Sequence, residues 1–168
     1  MNTYKKERSD RVSPVVGDRL PANIYEYFRA KTMRTGVVST VDEDGYPRGA
    51  PMSLFYALDD RTLLMGAQNR SQTFKNVERT GKIALTFLGG GDVAFTIRGK
   101  CRVFKTTMET SKYLGILVVE VEAVKSDVAI DVEVTDGIQY TYRSQKWEDF
   151  VNRVLDELRG YTLADVKG

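Results

Sequence analysis

The sequence predicts a mainly β protein: an antiparallel barrel, closed or partly closed, with few helices. Three observations carry this expectation. Between residues 36 and 67, short apolar or β-branched runs alternate with turn clusters at 42–47 and 59–61, as in a strand meander. Three further strand-type runs follow at 82–88, 93–105 and 116–126. Helical spacing is confined to three stretches, and closing six strands into a barrel removes the exposed edges they would otherwise leave.

The elements read in order as follows. Residues 1–17 are a polar N-terminal arm, and 18–168 form one domain. A short helix is expected over 20–32, with Pro21 in its first turn and Ile24, Tyr27 and Phe28 on one face. Strand 36–41 is β-branched, and the turn after it holds Asp44-Gly45. A second strand spans 48–58, where Pro51 demands an edge or a bulge. Strand 62–67 leads into a helix near 71–79, which Gly81 stops. Strand 82–88 and the flexible connection 89–92 precede strand 93–105, long enough to bend at Gly99. Residues 106–115 carry no clear period. In strand 116–126, Leu117, Val119, Val121 and Ala123 alternate with Glu120 and Glu122. A hairpin around Asp136-Gly137 is expected over 129–143. The chain ends in an amphipathic helix over 146–159, with Trp147, Phe150, Val151, Val154, Leu155 and Leu158 on its apolar stripe.

Composition narrows the function. A net charge of +2, from 25 basic and 23 acidic side chains, gives no basis for a nucleic-acid or membrane-surface partner. No run approaches 18 apolar residues, so no membrane span is expected, and the first residues hold no apolar stretch of signal-peptide length. The sequence has no histidine, which removes His-based triads, His metal sites and a His haem ligand. Cys101 is the single cysteine, so no internal disulfide forms and a cytoplasmic setting is expected. Its neighbours Lys100 and Arg102 favour a thiolate, yet a lone cysteine on a strand reads first as structural. No metal site is expected.

One stretch asks for chemistry: "LLMGAQNRSQTFKNV", residues 63–77. A buried-looking strand ends in the small residues Gly66 and Ala67, then an abrupt polar cluster opens a helix. Unpaired N–H groups and the positive end of a helix dipole suit an anion there. Arg70 adds a forked donor, Ser71 and Thr73 add hydroxyls, and Lys75 adds a charge. The plain alternative is a capped helix start with solvated cations, and the residues alone favour it. Elsewhere the bland readings prevail. "GGGD" at 89–92 lacks phosphate-loop spacing. Glu120 and Glu122 read as solvent-facing rather than an acid–base pair, and Met52, Met65, Phe74 and Trp147 read as packing residues.

Taken together, the order of these elements resembles the FMN-binding split-barrel proteins, the pyridoxamine 5′-phosphate oxidase-like family. The matching residues are "GVVSTVDEDGYPRGAPMSLFYALDDRTLLMGAQNRSQTFKNVERTGKIALTF" and "IRGKCRVF", within about residues 36–125. The resemblance implies a six-stranded antiparallel split barrel that forms a homodimer, with FMN in clefts at the subunit interface. It implies that Arg70, Ser71, Gln72, Thr73 and Lys75 hold the FMN phosphate. Gly66 and Ala67 would let the ligand approach the backbone, and Pro51, Met52 and Ser53 would line the isoalloxazine edge. Thr73 stands where many relatives carry lysine. The C-terminal R-L-x-P segment of true pyridoxamine phosphate oxidases is missing from "RGYTLADVKG", so their substrate is not carried over. The expected function is an FMN-binding oxidoreductase of unassigned substrate, with no convincing catalytic acid or base. Open beside it stand a flavin carrier or sensor without turnover, a barrel using a deazaflavin, and a non-flavin interaction module.

Overall fold

Eight strands and four helices form within residues 15–168, the part of the chain that the computed structural model describes. Most of the arm expected over 1–17 lies outside the described residues; its last three form a short strand, β1 (Val15–Gly17). Helix α1 (Ala22–Arg29) follows, then β2 (Gly36–Val41), β3 (Pro47–Met52), β4 (Phe55–Ala57) and β5 (Thr62–Gln68). Next come α2 (Gln72–Thr80), β6 (Lys82–Gly89), β7 (Val93–Lys105) and β8 (Leu114–Ser126). Helices α3 (Gln145–Gly160) and α4 (Leu163–Lys167) end the chain.

The sheet runs β3-β2-β6-β7-β8-β5-β4, every pairing antiparallel, with β1 alongside the far end of β8. All six expected strands are present in a mainly β split barrel. The count rises to eight for two reasons. β1 carries no strand signal in the sequence, and the strand expected over 48–58 breaks into β3 and β4 at Ser53-Leu54. Pro51 lacks an amide hydrogen, so β3 suits an edge. Among the described residues it pairs only with β2, and β4 only with β5, so these two pieces are the opposite edges of the described sheet. A two-residue link therefore joins the edges, and this brings the sheet round into a barrel. Thr35 Oγ1 and Ser53 Oγ lie 2.7 Å apart across the link, and Gly66 N donates to Leu54 O at 2.9 Å.

Gly99 is the bend in β7 that its position suggests. The β7–β8 register shifts there, and a Cβ on Gly99 would lie 2.3 Å from Glu120 O. The hairpin expected over 129–143 does not form. That segment instead runs as an irregular strap over the β6–β7 hairpin loop. Val134 ties it to that loop: Asp92 N donates to Val134 O at 3.3 Å, and Val134 N to Asp92 Oδ1 at 2.9 Å. Close fit replaces strand pairing, since a Cβ on Gly137 would sit 2.2 Å from Leu88 O.

Two apolar layers follow from the strand pattern. On the concave face, Phe28, Phe55, Phe87 and Phe95 pack with Val38, Leu63, Met65, Leu85, Ile97, Leu117 and Val119. On the other face, α3 lays Val154, Leu155 and Leu158 over Tyr56, Leu64, Ile116 and Val118. Burial on both faces explains why β5 is a continuous apolar run rather than an alternating one. Trp147 departs from expectation: it is 57% exposed at the start of α3, edge-on to Phe150. The helical stripe reaches past the sheet at that end, so it has nothing beneath it to bury the ring.

The turn from β2 to β3 is organised by one carboxylate. Asp42 Oδ1 accepts from Tyr46 N at 2.8 Å and Asp44 N at 3.1 Å, and Oδ2 accepts from Arg48 Nε at 3.0 Å. Gly45 takes the left-handed conformation that the turn needs, at φ 84°. The Tyr46 amide bond is the main reason Asp42 titrates below its ordinary value, with Arg48 and the Asp44 amide adding to it against burial. A depressed carboxylate stabilises the fold above its unfolded value, near 3.8, and loses that contribution as pH falls through the lowered folded value. Thermal unfolding should therefore show wild type more stable than Asp42→Asn at neutral pH, with the gap closing in acid. A gap independent of pH would refute the assignment.

Candidate functional site

The polar turn lies where β5 hands over to α2, and local chemistry fixes its shape. Asn69 pins it: its side-chain amide donates to Thr106 O at 2.8 Å and Lys112 O at 2.9 Å, and its backbone N–H donates to Tyr113 O at 3.1 Å. Ser71 is the N-cap, with Oγ accepting from Phe74 N at 3.2 Å. Gly81 closes the helix in the left-handed region, its N–H donating to Val77 O at 2.9 Å. Phe74 and Val77 enter the core. Asn76 is buried and donates to Thr40 Oγ1 at 3.0 Å, which ties the helix to β2. Neither Asn69 nor Asn76 stands out in the sequence. Asn69 sits among other polar residues and Asn76 is an amide on a short helix, and neither pattern distinguishes a buried linker from a surface residue.

The expected site residues divide sharply. Arg70 and Lys75 are exposed, and neither side chain has a hydrogen-bond or ion-pair partner among the described residues. The backbone N–H groups of Gln72 and Thr73 likewise have no acceptor among the described residues. Ser71 is half-buried and already caps, though its hydroxyl hydrogen remains free to donate outward. Gln72 has its side-chain amide engaged with Asn76 Oδ1 at 2.9 Å. Thr73 is only 6% exposed, facing the core side of α2. Gly66 and Ala67 are buried, and a Cβ on Gly66 would meet Leu54 at 3.2 Å. The close approach at Gly66 is thus made by Leu54. Pro51 is exposed, while Met52 and Ser53 are half-buried.

Register places these residues along one rim. Phe55 pairs with Met65, and the Leu54–Gly66 hydrogen bond extends that ladder by a step. The 51–53 segment therefore lies beside the end of β5, which runs directly into the turn at 69–71. A wall of half-buried residues thus leads to two cations and two amides at a helix start that have no partner among the described residues. This arrangement favours an elongated ligand with an anionic end.

Other titratable groups fall outside this rim. Glu120 and Glu122 are exposed on the outer face of β8, and Glu122 Oε1 lies 4.0 Å from Lys100 Nζ. They flank an open cavity of about 670 Å³ that Lys82 and Arg98 also line, away from the turn. Among the described residues, no helix is long and apolar enough to cross a membrane. Cys101 is buried, and burial pushes its thiol up to about 12, with Arg102 pulling weakly the other way. The native protein should therefore resist iodoacetamide at neutral pH and react once unfolded. Fast alkylation of folded protein would contradict this.

Comparison with known proteins identifies the family and the fold. The pyridoxamine 5′-phosphate oxidase family model matches residues 26–139. Among solved structures, a protein assigned to the pyridoxamine 5′-phosphate oxidases from Lactobacillus delbrueckii is 19% identical with a TM-score of 0.54, covering 67% of this chain and 98% of its own. An F420 reductase is 16% identical with a TM-score of 0.52, covering 64% of this chain and 100% of its own. A variant of HupZ from Group A Streptococcus is 18% identical with a TM-score of 0.52, covering 62% and 97%. Among curated protein sequences, none matches.

Proposed function

The chain belongs to the pyridoxamine 5′-phosphate oxidase family, and from that premise we propose that it is a flavin-binding protein that uses FMN as an oxidoreductase. The observation that carries this reading is the pair of cations without a side-chain partner among the described residues, Arg70 and Lys75, beside the Gln72 and Thr73 amides, likewise without an acceptor there, at the start of α2. A phosphate there gains two backbone donors, the positive end of the helix and two charges. The Ser71 hydroxyl donates as well. Gln72 and Thr73 serve through their backbone, since their side chains are engaged or buried. Met52 and Ser53 form the wall along which the ring system lies. Bound flavin supplies the electron transfer, and this chain's residues bind it, orient it and exclude water. Assembly as a homodimer, with a second copy covering the open side of the rim, and a cytoplasmic setting belong to the same proposal.

A visible spectrum of the purified protein, followed through an FMN titration, tests the reading. The expected result is a flavin band bound once per subunit, reducible by NADH or NADPH and reoxidised by an added acceptor. Binding without reduction would make it a flavin carrier or sensor. A protein that ignores FMN would overturn the proposal. The structural likeness to an F420 reductase motivates a second titration with a deazaflavin in competition with FMN. Tighter deazaflavin binding would replace FMN in the same cradle.

A further inference from the structure

A small cavity of about 180 Å³ lies between α1, the start of β2, the β6–β7 hairpin loop and the strap over 134–140. Tyr27, Arg34, Thr35, Gly90, Asp136 and Ile138 are among the residues that line it. Arg34 is its cation and is held in place. Its Nε donates to Tyr27 O at 3.1 Å, and its guanidinium lies over the Tyr27 ring, 4.3 Å from the centroid. Among the described residues no carboxylate pairs with Arg34, so its two terminal nitrogens are left as a half-buried fork. Such a fork matches a carboxylate, and a guanidinium already fixed by stacking loses little freedom on binding one. Asp136, exposed, also lines the space, with its oxygens accepting from Gly137 N at 2.8 Å and Gln139 Nε2 at 2.5 Å. A standing negative charge there disfavours a ligand carrying two. The volume, roughly that of six waters, suits a compact molecule.

We propose that this cavity binds a small monocarboxylate, with the Arg34 guanidinium taking its carboxylate. Its role rests on the flavin reading above. Thr35 follows Arg34 in the chain, and its Oγ1 lies 2.7 Å from Ser53 Oγ on the wall assigned to the ring system. The cavity therefore borders the wall at Ser53, where a small co-substrate meets the flavin edge. Specificity for one negative charge comes from Asp136.

Acetate is the probe, titrated by ligand-observed NMR into the purified protein with and without FMN. Saturable binding to wild type is expected, weakened about tenfold or more in Arg34→Gln as a charge-assisted contact is lost. Arg34→Lys should fall between the two, keeping the charge without the fork. Asp136→Asn should tighten acetate by removing repulsion, and this variant decides the matter if Arg34→Gln fails to fold. FMN affinity should be the same in Arg34→Gln as in wild type. Acetate binding that is absent in wild type, equal in Arg34→Gln, or unchanged in Asp136→Asn would overturn the proposal. Acetate that binds in an Arg34-dependent way to a protein ignoring FMN would keep the pocket and remove only the flavin reading.

Discussion

Phe87→Ala is expected to cost about 3–5 kcal/mol of folding stability, the largest loss expected from any single side chain named above. Phe87 is fully buried and touches four other rings: Phe28 at 5.0 Å, Phe55 at 5.1 Å, Phe95 at 5.4 Å and Tyr27 at 6.0 Å between centroids. Three of these contacts are edge-on, the arrangement that ring quadrupoles favour. The surroundings cannot close over the gap, because strands on one side and α1 on the other hold the neighbouring rings. Gly36 shows how tightly the ring is already held, since a Cβ there would lie 2.6 Å from it. Urea unfolding at equilibrium, with an unchanged slope, measures the loss. A cost under about 1 kcal/mol would mean that the cluster is loosely packed around Phe87.

The second large effect concerns affinity. Arg70→Ala with Lys75→Ala is expected to weaken FMN binding by ~2–4 kcal/mol, roughly thirty- to a thousandfold, through loss of two charged contacts. Both side chains are exposed and unpartnered among the described residues, so stability should hardly change. Thr73 is left alone because its burial would confuse loss of packing with loss of binding. Lys82→Ala, an exposed cation just past the other end of α2, is the control and should leave affinity as it was. Calorimetry reads both variants against wild type. Unchanged affinity in the double variant would move the phosphate away from this turn.

Much of this architecture is legible because strand, turn and cap signals agree with one another along the chain. Strand β7 runs over the span that its residues announce, with the bend at Gly99, and α2 begins at its serine cap and ends at its glycine. The failures share a cause: each depends on what a segment meets in space. Asp136-Gly137 has the residues of a hairpin turn, but the segments flanking it meet the β6–β7 loop before they meet each other. Trp147 has helical spacing, but the sheet ends before it. At the candidate site the cations and the cap are visible in the sequence. The burial of Thr73 and the cover over Gly66 are not, because both depend on which face of α2 meets the core and on where Leu54 lands. Arg34 escapes notice for the same reason, as a cation between two elements with no motif around it.

The two-residue link between β3 and β4 has a consequence for how the chain tolerates change. Most barrels hide their edges by pairing first strand with last, whereas here the edges have no strand partner among the described residues and the covalent chain keeps them together. A protease cut or a long insertion between Ser53 and Leu54 would remove no strand and few hydrogen bonds. It would free two edges, one of them carrying the buried Phe55, Tyr56 and Ala57. Unpaired, hydrophobic edges recruit other chains. The same short link that closes the barrel is therefore also its guard against aggregation, and lineages that lengthen it would need another element to cover the exposed strands.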